Sequence, residues 1–151
     1  MIDYSKPDLT QFPPRSPRIR LGGYVILPRL LDKCRAELAG TNGSYHFACP
    51  LDQNFLRFAG IEADAIKAEV AAGKKDAEII QWVEQNAKNK PSDWQIAQWS
   101  AFREQAAPSD NETREYVSGA IKESKIDHRE DIGTFFEWLD ADDFATFGGP
   151  A

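Results

Sequence analysis

Apolar residues return at helical spacing along most of the chain after its first twenty positions. Leu27, Leu30, Leu31, Cys34 and Leu38 share one stripe, and Gly40 stands just past it, where helices close in left-handed geometry. Pro28 suits the first turn of this helix, or kinks a longer one beginning at Gly23. The next stripe, Leu51, Phe55 and Phe58, starts behind Pro50. A proline at the first helical position places Cys49 at the N-cap and Asp52 in the first turn, and Gly60 with Ile61 predicts a Schellman ending. A short helix over 62–72 follows, then a stripe of Ile79, Ile80, Val83 and Ala87. Ser92 with Gln95, and Ser109 with Glu112, have capping-box spacing. They open helices that carry Ile96, Trp99, Phe102 and Ala106, and then Tyr116, Val117, Ala120, Ile121 and Ser124. A last short helix holds Phe135, Phe136 and Leu139, ahead of an acidic end at Asp140, Asp142 and Asp143. No strand-like alternation of useful length breaks the pattern, which predicts an all-α protein of about six or seven short helices.

The first twenty residues differ. Pro7, Pro13, Pro14 and Pro17 lack donors and push their preceding neighbours toward extended backbone, so an extended, proline-rich arm is expected, pinned to the domain by Leu9 and Phe12. The resulting division is an arm over 1–20, one helical domain over 21–147 and a tail over 148–151. The four tryptophans, Trp82, Trp94, Trp99 and Trp138, are expected in the core, although Trp82 lies off the line of Ile79, Ile80 and Val83.

Composition narrows the class. A chain of 151 residues with 42% hydrophobic and 28% charged residues fits one soluble domain. No apolar run approaches the roughly 20 residues of a membrane helix, and the opening "MIDYSKPDLTQ" has no secretory pattern. Two cysteines are too few for a disulfide scaffold, so a cytoplasmic setting is expected. The net charge is −6, but residues 1–50 hold seven Lys/Arg against four Asp/Glu, and the remainder eleven against twenty. An acidic chain is a poor nucleic-acid binder, which leaves the basic opening as a local feature needing its own explanation.

The runs "PRSPRIRLGGYVILPRLLDKCRAELAG", "CPLDQNFLRFAGI" and "IIQWV" carry a resemblance. With their Arg-Ser-Pro-Arg box, Leu-Pro-Arg followed by Asp-Lys, and Cys-Pro-Leu-Asp, they resemble a family of small bacterial proteins classed only as a domain of unknown function. The resemblance extends from about Asp8 to Leu139. It implies a bacterial, cytoplasmic setting and carries no activity, cofactor or partner.

Two constellations hold candidate chemistry. Arg15, Arg18 and Arg20 on the arm, with Arg29, Asp32 and Lys33 on the following helix, form a basic segment suited to a small anion or an acidic protein surface, because guanidinium forks match phosphate and carboxylate. Gly22 and Gly23 could add exposed N–H groups. The structural alternative is that these arginines pair with acidic residues such as Asp140, Asp142 and Asp143. The second constellation is Cys49, with Tyr45, His46 and Asp52 as helpers, since a helix N-terminus stabilises a thiolate and His46 could act as base. Its structural alternative is a half-buried capping cysteine without chemistry. Cys34, on the apolar stripe, reads as core. Spacing for a zinc or calcium site is absent, and no cofactor fingerprint is found. The sequence thus reads as a non-catalytic binding module with a basic N-terminal groove, with a small enzyme or redox-active protein centred on Cys49 as the alternative.

Overall fold

A computed structural model describes residues 2–148. The expected tail over 148–151 lies outside them apart from Gly148. Among these described residues there are seven helices: α1 (Leu27–Ala39), α2 (Pro50–Ala59), α3 (Ala63–Ala71), α4 (Asp76–Asn86), α5 (Asp93–Gln105), α6 (Asn111–Glu123) and α7 (Phe135–Phe147). Among the described residues the sole β-type pairing is an isolated bridge between Leu21 and Tyr24, so the fold is all-α. Its contacts group into two compact units, Met1–Ser100 and Ala101–Ala151, with the boundary inside α5.

In the first unit α1 packs against both α2 and α3, and α3 packs against α4. Leu27, Leu30, Leu31 and Cys34 meet Phe55, Ile66, Ile79 and Val83 in a core without water access. Pro28 lies in the first turn of α1, and the helix closes on left-handed Gly40, with Thr41 N–H on Ala36 O at 2.8 Å. Leu38, expected on the buried stripe, is exposed because that closure ends the packed face a turn earlier. Pro50, Cys49 and Gly60 take the predicted capping places in α2, and Ile61 N–H reaches Leu56 O. The arm is pinned, with Pro7, Leu9, Pro14 and Pro17 buried. Leu9 N–H donates to Thr41 O and the Thr41 hydroxyl to Pro7 O.

Gly22 and Gly23 turn the chain from arm to helix. Both have positive φ, and Leu21 and Tyr24 exchange two 3.0 Å hydrogen bonds around them, as in a two-residue turn with both centres left-handed. A Cβ on Gly22 would sit 2.3 Å from Ile80 Cδ1. Ser100 locks the turn from α5, donating to Gly23 O at 2.6 Å and accepting from Val25 N–H at 3.2 Å. The glycine pair therefore serves a tight turn against α4 and α5.

The Ser92–Gln95 box is formed in both directions. Helix α5 buries Ile96 and Ser100, four residues apart, and half-buries Trp99, whose ring stacks on Phe58 at 4.8 Å. Trp94 and Phe102 fall on other faces at this spacing and are 67% and 63% exposed, contrary to the core expectation.

In the second unit α6 packs on α7, burying Val117, Ile126, Phe136 and Ala141. The cap of α6 is Asp110, one residue beyond the expected Ser109; its carboxylate accepts from Thr113 N–H at 2.7 Å. Tyr116, expected to face inward, is exposed beside the one buried residue of α6. Helix α7 opens on an unanticipated capping box of Thr134 with Glu137 and runs through the acidic stretch to Phe147, because no glycine or proline interrupts it before Gly148.

Candidate functional site

Helix α1 has an apolar face and a charged one, and both are buried. Arg29, Asp32, Lys33 and Arg35 are at most 9% exposed. Burying a charge is costly unless it is paired, so the question is where each partner lies.

Arg15, from the arm, grips Asp32 with two arms of its fork, Nε and Nη2, each at 2.9 Å, and adds its backbone N–H at 2.9 Å. Its Nη1 reaches Asp76 of α4 at 2.8 Å. Arg35 approaches the same Asp76 at 2.8 Å and donates to Lys74 O. Arm, α1 and α4 are thus joined by two arginines and two aspartates. Burial raises the Asp32 carboxyl above its usual range despite Arg15 and Arg35. Burial acts in the same direction on Asp76, but hydrogen bonds from Arg15 and Arg35 outweigh it and hold that carboxyl low. Arg29 donates to Arg15 O at 3.2 Å and lies over the Tyr45 ring at 5.5 Å. Arg18 and Arg20 are exposed on the arm.

Lys33 points the other way around α1, toward the start of α2. Its ammonium lies 2.9 Å from Asp52 Oδ1 and 3.1 Å from Cys49 Sγ. Lys33 is 3% exposed and Asp52 is fully buried, whereas Cys49 is half-buried. Asp52 also accepts from Ala48 N–H at 2.9 Å, and Gln53 donates to Ala48 O at 3.1 Å. These bonds hold Ala48 at φ 59°, a left-handed conformation that strains a non-glycine residue and sets the approach to Cys49. Burial pushes the Asp52 carboxyl up, against the opposing pull of Lys33 and of the Ala48 N–H. Cys34, the neighbour of Lys33 in sequence, is fully buried, and burial pushes its thiol up to about 12.

The structure therefore divides the expected residues into two groups. Arg15 and Asp32 belong to the arm network with Asp76 and Arg35. Lys33, Asp52 and Cys49 belong to a separate cluster at the α1–α2 contact. Tyr45 is half-buried under Arg29, and His46 is exposed with no hydrogen bond among the described residues. Sequence reasoning left Asp76 and Arg35 out of the site, and their separation of 41 positions gave no local cue. It placed Lys33 and Cys49 in rival sites: the N-cap place of Cys49 was read, but Lys33 was grouped with Arg29 and Asp32, from which it turns away toward α2.

Among the described residues no three His, Cys, Asp or Glu side chains gather where they could hold a metal, and no helix is long and apolar enough to cross a membrane. Comparison with known families decides the affiliation: the model of a family described as domain of unknown function (DUF5069) matches residues 11–145. The chain belongs to that family. None of the curated proteins matches it. The matched span of the DUF5069 domain takes in both clusters, from Arg15 to Asp76, and reaches into α7.

Proposed function

We propose that this DUF5069 protein is a thiol protein, with Cys49 as the group that reacts with small oxidants or electrophiles in a reducing, cytoplasmic setting. The observation that carries the reading is the 3.1 Å contact between Lys33 Nζ and Cys49 Sγ at the N-terminus of α2. An ammonium and a helix N-terminus both stabilise negative charge on sulfur, and a half-buried cysteine leaves a reagent room to approach. Asp52 keeps Lys33 in place by the ion pair behind it. Alkylation of the full chain at neutral pH, followed by peptide mapping, tests the idea. Cys49 is expected to label first, with Cys34 protected until the protein unfolds. Equal, slow labelling of both would sink it.

A second reading has its own observation: Arg18 and Arg20 stand exposed on an arm that the core holds still. Such a pair suits a phosphate or an acidic protein surface. Inorganic phosphate at 100 times its dissociation constant would stabilise the protein by about 2.7 kcal/mol. A thermal shift that survives in the doubly substituted Arg18→Gln, Arg20→Gln protein would remove both residues from the reading.

A further inference from the structure

A reactive cysteine that forms a sulfenic acid needs a second group to close the cycle, and the usual second group is another thiol. Cys34 does not fit that role. It is fully buried on the apolar face of α1, and its thiol is pushed up to about 12 by burial. Its helix neighbour Lys33 is turned about 100° away, and it is Lys33 that touches the sulfur.

On the thiol reading above, we propose that Lys33 is the resolving group of Cys49: after oxidation by a peroxide, its Nζ closes on the oxidised sulfur and cross-links α1 to α2. The sequence of bonds balances. The thiol attacks a hydroperoxide, whose O–O bond breaks, giving Cys49–SOH and water or an alcohol. The Lys33 ammonium passes one proton to Asp52 Oδ1, 2.9 Å away. The freed amine attacks Sγ, an S–N bond forms, the S–O bond breaks, and hydroxide leaves with a second proton from nitrogen as water. One equivalent of peroxide is consumed, and the peptide pair ends two hydrogens lighter. A second equivalent of peroxide, releasing one more water, would instead leave one oxygen between sulfur and nitrogen. Two equivalents of a small thiol reverse the S–N link, regenerating amine and cysteine and leaving a disulfide.

Three features of the cluster favour closure over the competing fate, further oxidation to sulfinate. The reacting atoms are already in contact on two separate helices, so little chain entropy remains to be lost. Asp52 is fully buried, and burial raises its carboxyl, so it is suited to take the proton that makes Lys33 a nucleophile. The step also turns a buried ion pair into a neutral acid beside a neutral link, which relieves the cost of two desolvated charges.

The experiment treats the full chain with hydrogen peroxide, digests it without reductant and maps the peptides by mass. A Lys33–Cys49 linked pair, with or without a retained oxygen, is expected as the main oxidised species, and it should be lost on adding dithiothreitol. Lys33→Arg keeps a cation opposite Asp52 and should give no link; Cys49 should then be trapped by dimedone as sulfenate and pass on to sulfinate. Should Lys33→Arg misfold, the wild-type map alone still decides. Trapping of Cys49 sulfenate in the wild type with no linked pair overturns the cross-link and leaves the thiol reading standing. Cys49 oxidising no faster than Cys34 overturns both.

Discussion

Lys33 is a long cation inside a protein, held by one carboxylate and touching one sulfur. Its removal leaves Asp52 desolvated and without a countercharge, a situation that generally costs about 3–5 kcal/mol. Lys33→Met should therefore lower the unfolding free energy by that order at neutral pH. Adding Asp52→Asn should restore most of the loss, because the amide oxygen still accepts from Ala48 N–H while no lone charge stays buried. Denaturant unfolding of the two single variants and the double variant checks this. Additive losses would mean that the two side chains do not act as a pair. Residues of this kind were half legible in the sequence. Pro50 announced the N-cap at Cys49, and Asp52 followed as a first-turn acid. Nothing local announced that Lys33, 16 positions earlier, would arrive at the same sulfur, because helix spacing gives the face a residue occupies and not the element opposite.

Between elements, the ties of arm to α1 and α4 carry a dependence on pH. The Asp76 carboxyl is held below its ordinary range, so the unfolded chain binds that proton more readily than the folded one. The stability it contributes is complete above the unfolded carboxylate value of about 4, and is lost as the pH falls through the lower folded value. Asp32 and Asp52 have the opposite sign, since burial raises both: their contribution is complete in acid and lost as the pH rises through their folded values. Comparing the melting of the wild type with Asp76→Asn isolates the first effect. The gap between them should be steady from neutral pH down to about 4 and close below it. A gap that persists unchanged in stronger acid would show that Asp76 acts through shape and not charge. The elements themselves were readable where a local signal fixes them: Gly40, Gly60 and the Ser92–Gln95 box all lie where the pattern put them. The start of α6 moved by one residue because Asp110 is a cap as good as Ser109 and only geometry chooses between them. Helix α7 was read too short because a run of acids looked like a terminus, while backbone chemistry placed no stop there.

For the molecule as a whole, periodicity conveyed the all-α class and the order of helices, but exposure escaped it. Trp94 read as core from its side-chain type and Phe102 and Tyr116 from helical spacing, yet their helices bury only narrow faces. The candidate site was legible as two lists of residues and illegible as an arrangement, since the two ion-pair groups are assembled by contacts 16 to 61 positions apart. That last separation also has a consequence in time. Arg15 leaves the ribosome 61 residues ahead of Asp76, and synthesis at roughly 5–20 residues per second makes that interval roughly 3–12 s. The guanidinium of Arg15 is thus made before its second anchor exists. The arm can meet Asp32 and Thr41 as soon as α1 has emerged, whereas its tie to α4 closes only after Asp76 has been translated.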